Sequence, residues 1–75
     1  MVYDKIISIL SKQLDLDELE INEDCSLEED LGMGELDRME ILLDIEDEFD
    51  INIPEEDSDE FVTIGDIVNY VEDNT

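Results

Sequence analysis

Residues 29–40 read Glu29-Asp30-Leu31-Gly32-Met33-Gly34-Glu35-Leu36-Asp37-Arg38-Met39-Glu40, and they join a loop to the best-patterned helix in the chain. From Glu35 or Leu36 to about Asp50, apolar residues recur at helical spacing. Leu36, Met39, Leu42, Ile45 and Phe49 form one stripe, widened by Ile41 and Leu43. Gly34 is an acceptable N-cap. A carboxylate at residue 35, in the first turn, interacts favourably with the helix dipole by ~0.3–1 kcal/mol.

The rest of this helix is acidic. Glu40, Asp44, Glu46, Asp47 and Glu48 hold most of the remaining surface, and Arg38 is its only cation. Like charges at i, i+4, such as Glu40 and Asp44, repel by a few tenths of a kcal/mol. Asp47 and Glu48, near the C-terminal turn, also oppose the dipole. A surface that costs stability without an evident structural return is a candidate recognition face.

Upstream, Val2, Ile6, Ile9, Leu10 and Leu14 recur every three or four residues, with Asp4, Lys5, Ser8, Ser11 and Lys12 opposite. This predicts an amphipathic helix from Val2 to Leu14, with Lys12 in the last turn where a cation is favoured. Residues 15–34 then make a long connection, but Leu16, Leu19, Ile21, Leu27 and Leu31 are spread through it. Apolar anchors at such intervals predict a loop packed on the core. Asp15-Leu16-Asp17 is not a calcium loop: the EF-hand pattern needs an oxygen ligand at Leu19 and a glycine at Glu20. Low-affinity, adventitious binding of divalent cations to the clustered carboxylates is expected.

Downstream, Ile51-Asn52-Ile53 is extended, because Pro54 pushes the residue before it out of helical geometry. Glu55 to Phe61 is expected to form a short helical turn anchored by Phe61. Thr63 and Asp66 make a capping-box start for a last helix from Ile64 to about Glu72. Its core face is Ile64, Ile67, Val68 and Val71, with Tyr70 at the edge, and Gly65 weakens it by up to ~1 kcal/mol. The fold class is all-α, one domain over residues 1–75, with three main helices, one short helix and a long structured first loop.

Composition narrows the function. Seventy-five residues with 41% hydrophobic and 5% aromatic content give one thin aliphatic core, stable by roughly 5 kcal/mol. Twenty-six acids face Lys5, Lys12 and Arg38, for a net charge of −23. Repulsion excludes nucleic acid and anionic membrane surfaces as partners. Basic patches on other proteins remain, reached by electrostatic steering. Cys25 is the only cysteine and there is no histidine, so a disulfide framework, a zinc site and histidine-based catalysis drop out. Cys25 is expected as a small, partly buried core residue. With neither an activated nucleophile nor a cofactor motif of its own, the chain is not expected to be an enzyme. The N-terminus has no continuous apolar run and no cleavage site, so a cytosolic protein is expected.

Several segments, in order, resemble the acyl carrier protein family. These are Asp30-Leu31-Gly32 before the second helix, Glu46-Asp47-Glu48-Phe49 near its end, Ile51-Asn52-Ile53-Pro54 after it, and Thr63-Ile64-Gly65-Asp66 opening the last. Each is weak alone; together they cover essentially the whole chain without a gap. The resemblance implies a four-helix acyl-carrier-like bundle, monomeric, in which a serine of an Asp-Ser-Leu motif at the head of the second helix carries 4′-phosphopantetheine. A helix N-terminus suits a phosphodiester. It further implies that acyl-transfer, synthase or ligase enzymes of fatty-acid or polyketide assembly dock basic patches on the second helix. Asp37, Glu40, Glu46 and Asp47 would then meet lysine and arginine, with Leu36, Met39 and Leu43 in apolar contact. Leu42, Ile45 and Phe49 would line the space that shelters an acyl chain.

The decisive place departs from the motif, because Asp-Ser-Leu reads Gly34-Glu35-Leu36. Glu35 occupies the cofactor-binding position and has no hydroxyl, so no cofactor is expected on this chain. Ser8, Ser11, Ser26 and Ser58 all lie elsewhere. Two readings stand: a carrier in lineage and partners that cannot be loaded, or a regulatory or scaffold protein that mimics a carrier, Glu35 supplying charge where the phosphate would sit.

Overall fold

The computed structural model describes residues 1–75. Helix α1 spans Val2–Leu14, α2 Glu35–Phe49, α3 Glu55–Ser58 and α4 Ile64–Asp73, with a 3-10 turn at Glu18–Glu20. The expected class, element order and boundaries hold, apart from α3, which stops three residues before Phe61. Thirteen buried side chains make one core, dominated by Ile6, Leu10, Ile41, Ile45, Ile64 and Val71, all fully enclosed. α1 lies against both α2 and α4.

Both long helices end in the same way. Asp15 and Asp50 take left-handed geometry at φ 56° and 53°. The amides of Leu16 and Ile51 then donate back to the carbonyls of Ser11 and Glu46. This is the closing pattern usually given to glycine; aspartate tolerates it because its short polar side chain relieves the left-handed strain. It turns Leu16 and Ile51 back against the core.

The long connection is packed, as expected. Its amides are stitched to the start of α4: Leu27 N–H donates to Val62 O at 2.9 Å, and Ile64 N–H to Cys25 O at 3.1 Å. Gly65 N–H reaches Glu23 O at 2.9 Å, and a β-carbon on Gly65 would lie 3.2 Å from that same oxygen. The glycine is therefore needed for a close backbone approach that helix propensity alone does not reveal. Ile21 and Leu27 are buried anchors, Leu16 and Leu31 are half-buried, and Cys25 is half-buried against the core as expected.

One expectation about the loop anchors fails. Leu19 is 92% exposed, because Asp17 caps the 3-10 turn by accepting from Leu19 N–H at 2.9 Å and so directs the turn outward. Its place is taken by Met33, which is buried, as is Ile7 on α1. The apolar residues of α2 divide between surface and core as the family resemblance implies. Ile41 and Ile45 are fully enclosed and Leu42 and Phe49 half-buried, whereas Leu36, Met39 and Leu43 stand exposed. Seven apolar residues on one helix cover more arc than the contacts with α1 and the rest of the core can bury.

Candidate functional site: the head of α2

Gly34 caps α2 with extended backbone, φ −81° and ψ 177°, a conformation open to any residue. Its N–H donates to the Asp37 carboxylate at 3.3 Å, and its carbonyl accepts the first intrahelical bond, from Arg38 N–H at 3.0 Å. A β-carbon on Gly34 would meet nothing within 4 Å. Glu35, the first residue of the helix, is exposed. The single ion pair in the protein is Lys5–Glu48 at 3.9 Å, so the Glu35 carboxylate has no cationic partner in the fold.

Below Glu35, Leu36, Met39 and Leu43 are 65%, 54% and 54% exposed, an apolar strip on the outer side of α2. Asp37, Glu40 and Asp47 are exposed beside it. Glu46 differs from the other candidate contact residues. It is half-buried, and its carboxylate accepts from Ile53 N–H at 2.6 Å, tying α2 to the strand-like segment before Pro54. Six of the seven residues named from the sequence as a partner face thus sit together and accessible, and the seventh is partly engaged inside the fold.

Arg38 was not among the site residues read from the sequence, yet it organises this end of the molecule. Its Nη2 donates to the carbonyl of Phe61 at 2.7 Å and to that of Ser58. The guanidinium thereby fastens α2 to the last residue of α3 and to Phe61 beyond it, twenty and more residues away. Between the two helices lies a cleft of about 360 Å³, whose lining includes Glu35, Arg38, Leu42 and Ile53. Ser58 reaches this cleft too, but it is buried and its hydroxyl donates to Glu55 O at 2.9 Å. Ser26 lies in the loop, its hydroxyl accepting from Glu29 N–H. No serine stands at the head of α2.

Two titratable groups are shifted, and both support the scaffold. The Val62 and Thr63 amides donate to the Asp66 carboxylate and hold it below the ordinary aspartate range. Tyr70 donates to Asp57 at 2.9 Å, which holds its hydroxyl above the ordinary tyrosine value, while its ring stands edge-on to Phe61 with centroids 5.5 Å apart.

The family described as the phosphopantetheine attachment site matches residues 4–71. The acyl carrier protein of Clostridium acetobutylicum is 39% identical over all of this chain and 97% of its own length. This chain belongs to the acyl carrier protein family. The acyl carrier protein of Wolinella succinogenes is 36% identical over 97% of this chain and 96% of its own, and that of Thermotoga maritima 37% over 95% and 88%. The solved structure of acyl carrier protein from Enterococcus faecalis superposes with a TM-score of 0.83 at 30% identity, covering 99% of this chain and 94% of that one. The family's cofactor is 4′-phosphopantetheine, and its members work with acyl-processing enzymes. The first residue of α2 in this chain is Glu35. No helix is long and apolar enough to cross a membrane.

Proposed function

We propose that this acyl carrier protein homologue docks, through α2, on basic surfaces of acyl-transfer, synthase or ligase enzymes of fatty-acid or polyketide type, and that it carries no 4′-phosphopantetheine at residue 35. The observation that carries the docking half is the exposed strip Leu36, Met39 and Leu43 set among Asp37, Glu40 and Asp47 on a protein of charge −23. Apolar contact would supply binding energy, and the acids would steer and orient the partner. The non-loading half rests on composition. A carboxylate has no hydroxyl with which to form the phosphodiester, and the buried Ser58 hydroxyl is already committed to Glu55 O. The protein is a docking module without chemistry of its own, working in the cytosol as a monomer.

Intact mass after incubation with coenzyme A and a broad-specificity phosphopantetheinyl transferase tests the non-loading half. Unchanged mass is expected for this sequence, and a phosphopantetheine adduct would refute it. Glu35→Ser, alone and with Gly34→Asp, is expected to gain the adduct, since the backbone at residue 34 accommodates a side chain. Failure of both revertants would sink the carrier lineage of the site. Glu40→Lys with Asp47→Lys is expected to abolish binding to a carrier-dependent enzyme without loss of helicity; retained binding would move the docking face elsewhere. Glu46 is left out because its reversal also breaks the bond to Ile53 N–H.

Glu35 itself favours a second reading, a regulator that mimics a carrier by occupying the enzyme's docking surface. That reading predicts that this sequence, though unloaded, slows transfer to a loadable carrier, and no slowing at saturating concentration would dismiss it.

A further inference from the structure

Met39 carries the only sulfur atom on α2, and its setting differs from that of the other methionines, Met1 and Met33. Met33 is 6% exposed, shut into the core with its N–H donating to Leu27 O at 2.9 Å. Met1 is exposed at the N-cap of α1, outside the recognition helix. Met39 is 54% exposed and stands in the middle of the apolar strip, between Leu36 and Leu43. Spacings of three and four residues put all three side chains on one helix face. Leu36 and Leu43 carry no hydrogen-bond donor, and Asp37 and Glu40 beside the strip are acceptors. A soft, oxidisable thioether thus lies at the centre of the face on which docking depends.

We propose that Met39 is a redox switch on this face: oxidation of its thioether by hydrogen peroxide weakens the grip on an acyl-processing enzyme, and reduction restores it. The proposal rests on the docking reading above and adds the regulation of that same surface. In the forward step a sulfur lone pair attacks a peroxide oxygen. An S–O bond forms as the O–O bond breaks, and the departing hydroxide takes the remaining proton and leaves as water. Sulfur is oxidised and the peroxide is reduced. The product sulfoxide is polar and chiral where the thioether was flexible and apolar. On the free protein this change is tolerated, because the side chain already meets water. Against an apolar partner surface the sulfoxide oxygen must give up its water, and the strip supplies no donor in exchange. Burial shields Met33 from the same reagent, so the fold survives a dose that modifies Met39. The reverse step belongs to methionine sulfoxide reductases, which return the thioether with electrons from a dithiol.

The test treats the full chain with dilute hydrogen peroxide, removes the oxidant with catalase, and locates the added oxygen by peptide mass mapping. Met39 is expected to be oxidised well before Met33, with helicity by circular dichroism unchanged. Affinity for a purified acyl-transfer enzyme that acts on carriers, measured by calorimetry, is expected to fall roughly tenfold, as when a polar group is buried without a partner. Methionine sulfoxide reductase with dithiothreitol should restore it. Dithiothreitol alone, which reverses disulfide or sulfenate formation at Cys25, should not. Met39→Leu is compared only with itself: whatever affinity leucine confers, peroxide should no longer change it, although Met1 and Cys25 remain. Undiminished binding by a chain mapped as the Met39 sulfoxide would overturn the switch and leave docking standing. So would a loss that Met39→Leu shares, a loss that dithiothreitol alone repairs, or oxidation of Met33 ahead of Met39. If the untreated chain does not bind the enzyme, the docking reading fails and the switch falls with it.

Discussion

Replacing Arg38 by methionine isolates the contact on which this end of the bundle depends. The substitution keeps an apolar stem of similar length and removes only the guanidinium, which donates to the carbonyls of Ser58 and Phe61. A hydrogen bond from a charged donor is worth about 1.5–3 kcal/mol when fully enclosed. Arg38 is half-buried, so water recovers part of each bond, and the combined loss is set at about 2 kcal/mol. Against a total near 5 kcal/mol that is a large fraction, and for a chain of this size it corresponds to a fall in Tm of roughly 8–15 °C. The effect should be local before it is global. Amides at the α3 turn, such as Ser58 and Asp59, which donate to Pro54 and Glu55 carbonyls, should exchange faster, while Ile45 and Val71 in the core exchange through global unfolding. Arg38→Lys is the control for charge: it keeps net charge at −23, but its compact ammonium lacks the fork that spans two carbonyls. Thermal melts followed by circular dichroism, with hydrogen exchange read residue by residue, make the measurement. If Arg38→Met melts within about 3 °C of the parent sequence, the strap is energetically idle. If Arg38→Lys matches the parent, charge and not geometry is at work.

Three further outcomes follow from the structure. Gly65→Ala should destabilise the fold, although alanine is the better helix former by up to about 1 kcal/mol, because its β-carbon would press on Glu23 O at 3.2 Å; a rise in Tm would refute the close-approach reading. The Asp66 carboxylate is depressed in the fold by the Val62 and Thr63 amides, so its stabilisation is present above the unfolded pKa and lost as pH falls through the folded one. Asp66→Ala should therefore cost about 1 kcal/mol at neutral pH, with the gap to the parent closing in acid; a gap independent of pH would contradict the assignment. With one ion pair for 26 acids, Tm should rise as salt goes from roughly 0.01 M to 0.15 M, where screening length falls from about 30 Å to about 8 Å; a flat response would mean that the acids are already dispersed well enough not to repel.

Periodicity and punctuation were enough for the elements. The alternation of Ile6 and Leu10, the Pro54 stop and the Thr63–Asp66 cap are local signals, satisfied within one turn of chain, and each appears in the structure where the sequence put it. Local signals could not choose among the seven apolar residues of α2. Only the arrival of α1 and the core decides that Ile41 and Ile45 go inward while Leu36, Met39 and Leu43 remain outside. Leu19 faces outward and Met33 inward for a similar reason, since a loop's anchors depend on which way a capped turn points. Arg38 and Glu46 look like ordinary surface charges in sequence; their bonds to Ser58, Phe61 and Ile53 exist only because α3 folds back on α2.

The site divides along the same line. That residue 35 is a glutamate, with no hydroxyl to esterify, is a fact of covalent chemistry, complete in the sequence. That this glutamate stands exposed on the first turn of α2, beside an apolar strip and at the border of a cleft ringed by carboxylates, required the tertiary structure. The cleft's residues come from positions 35 to 59, on two helices and the extended segment between them, and a chain has no pocket until its packing brings such segments together.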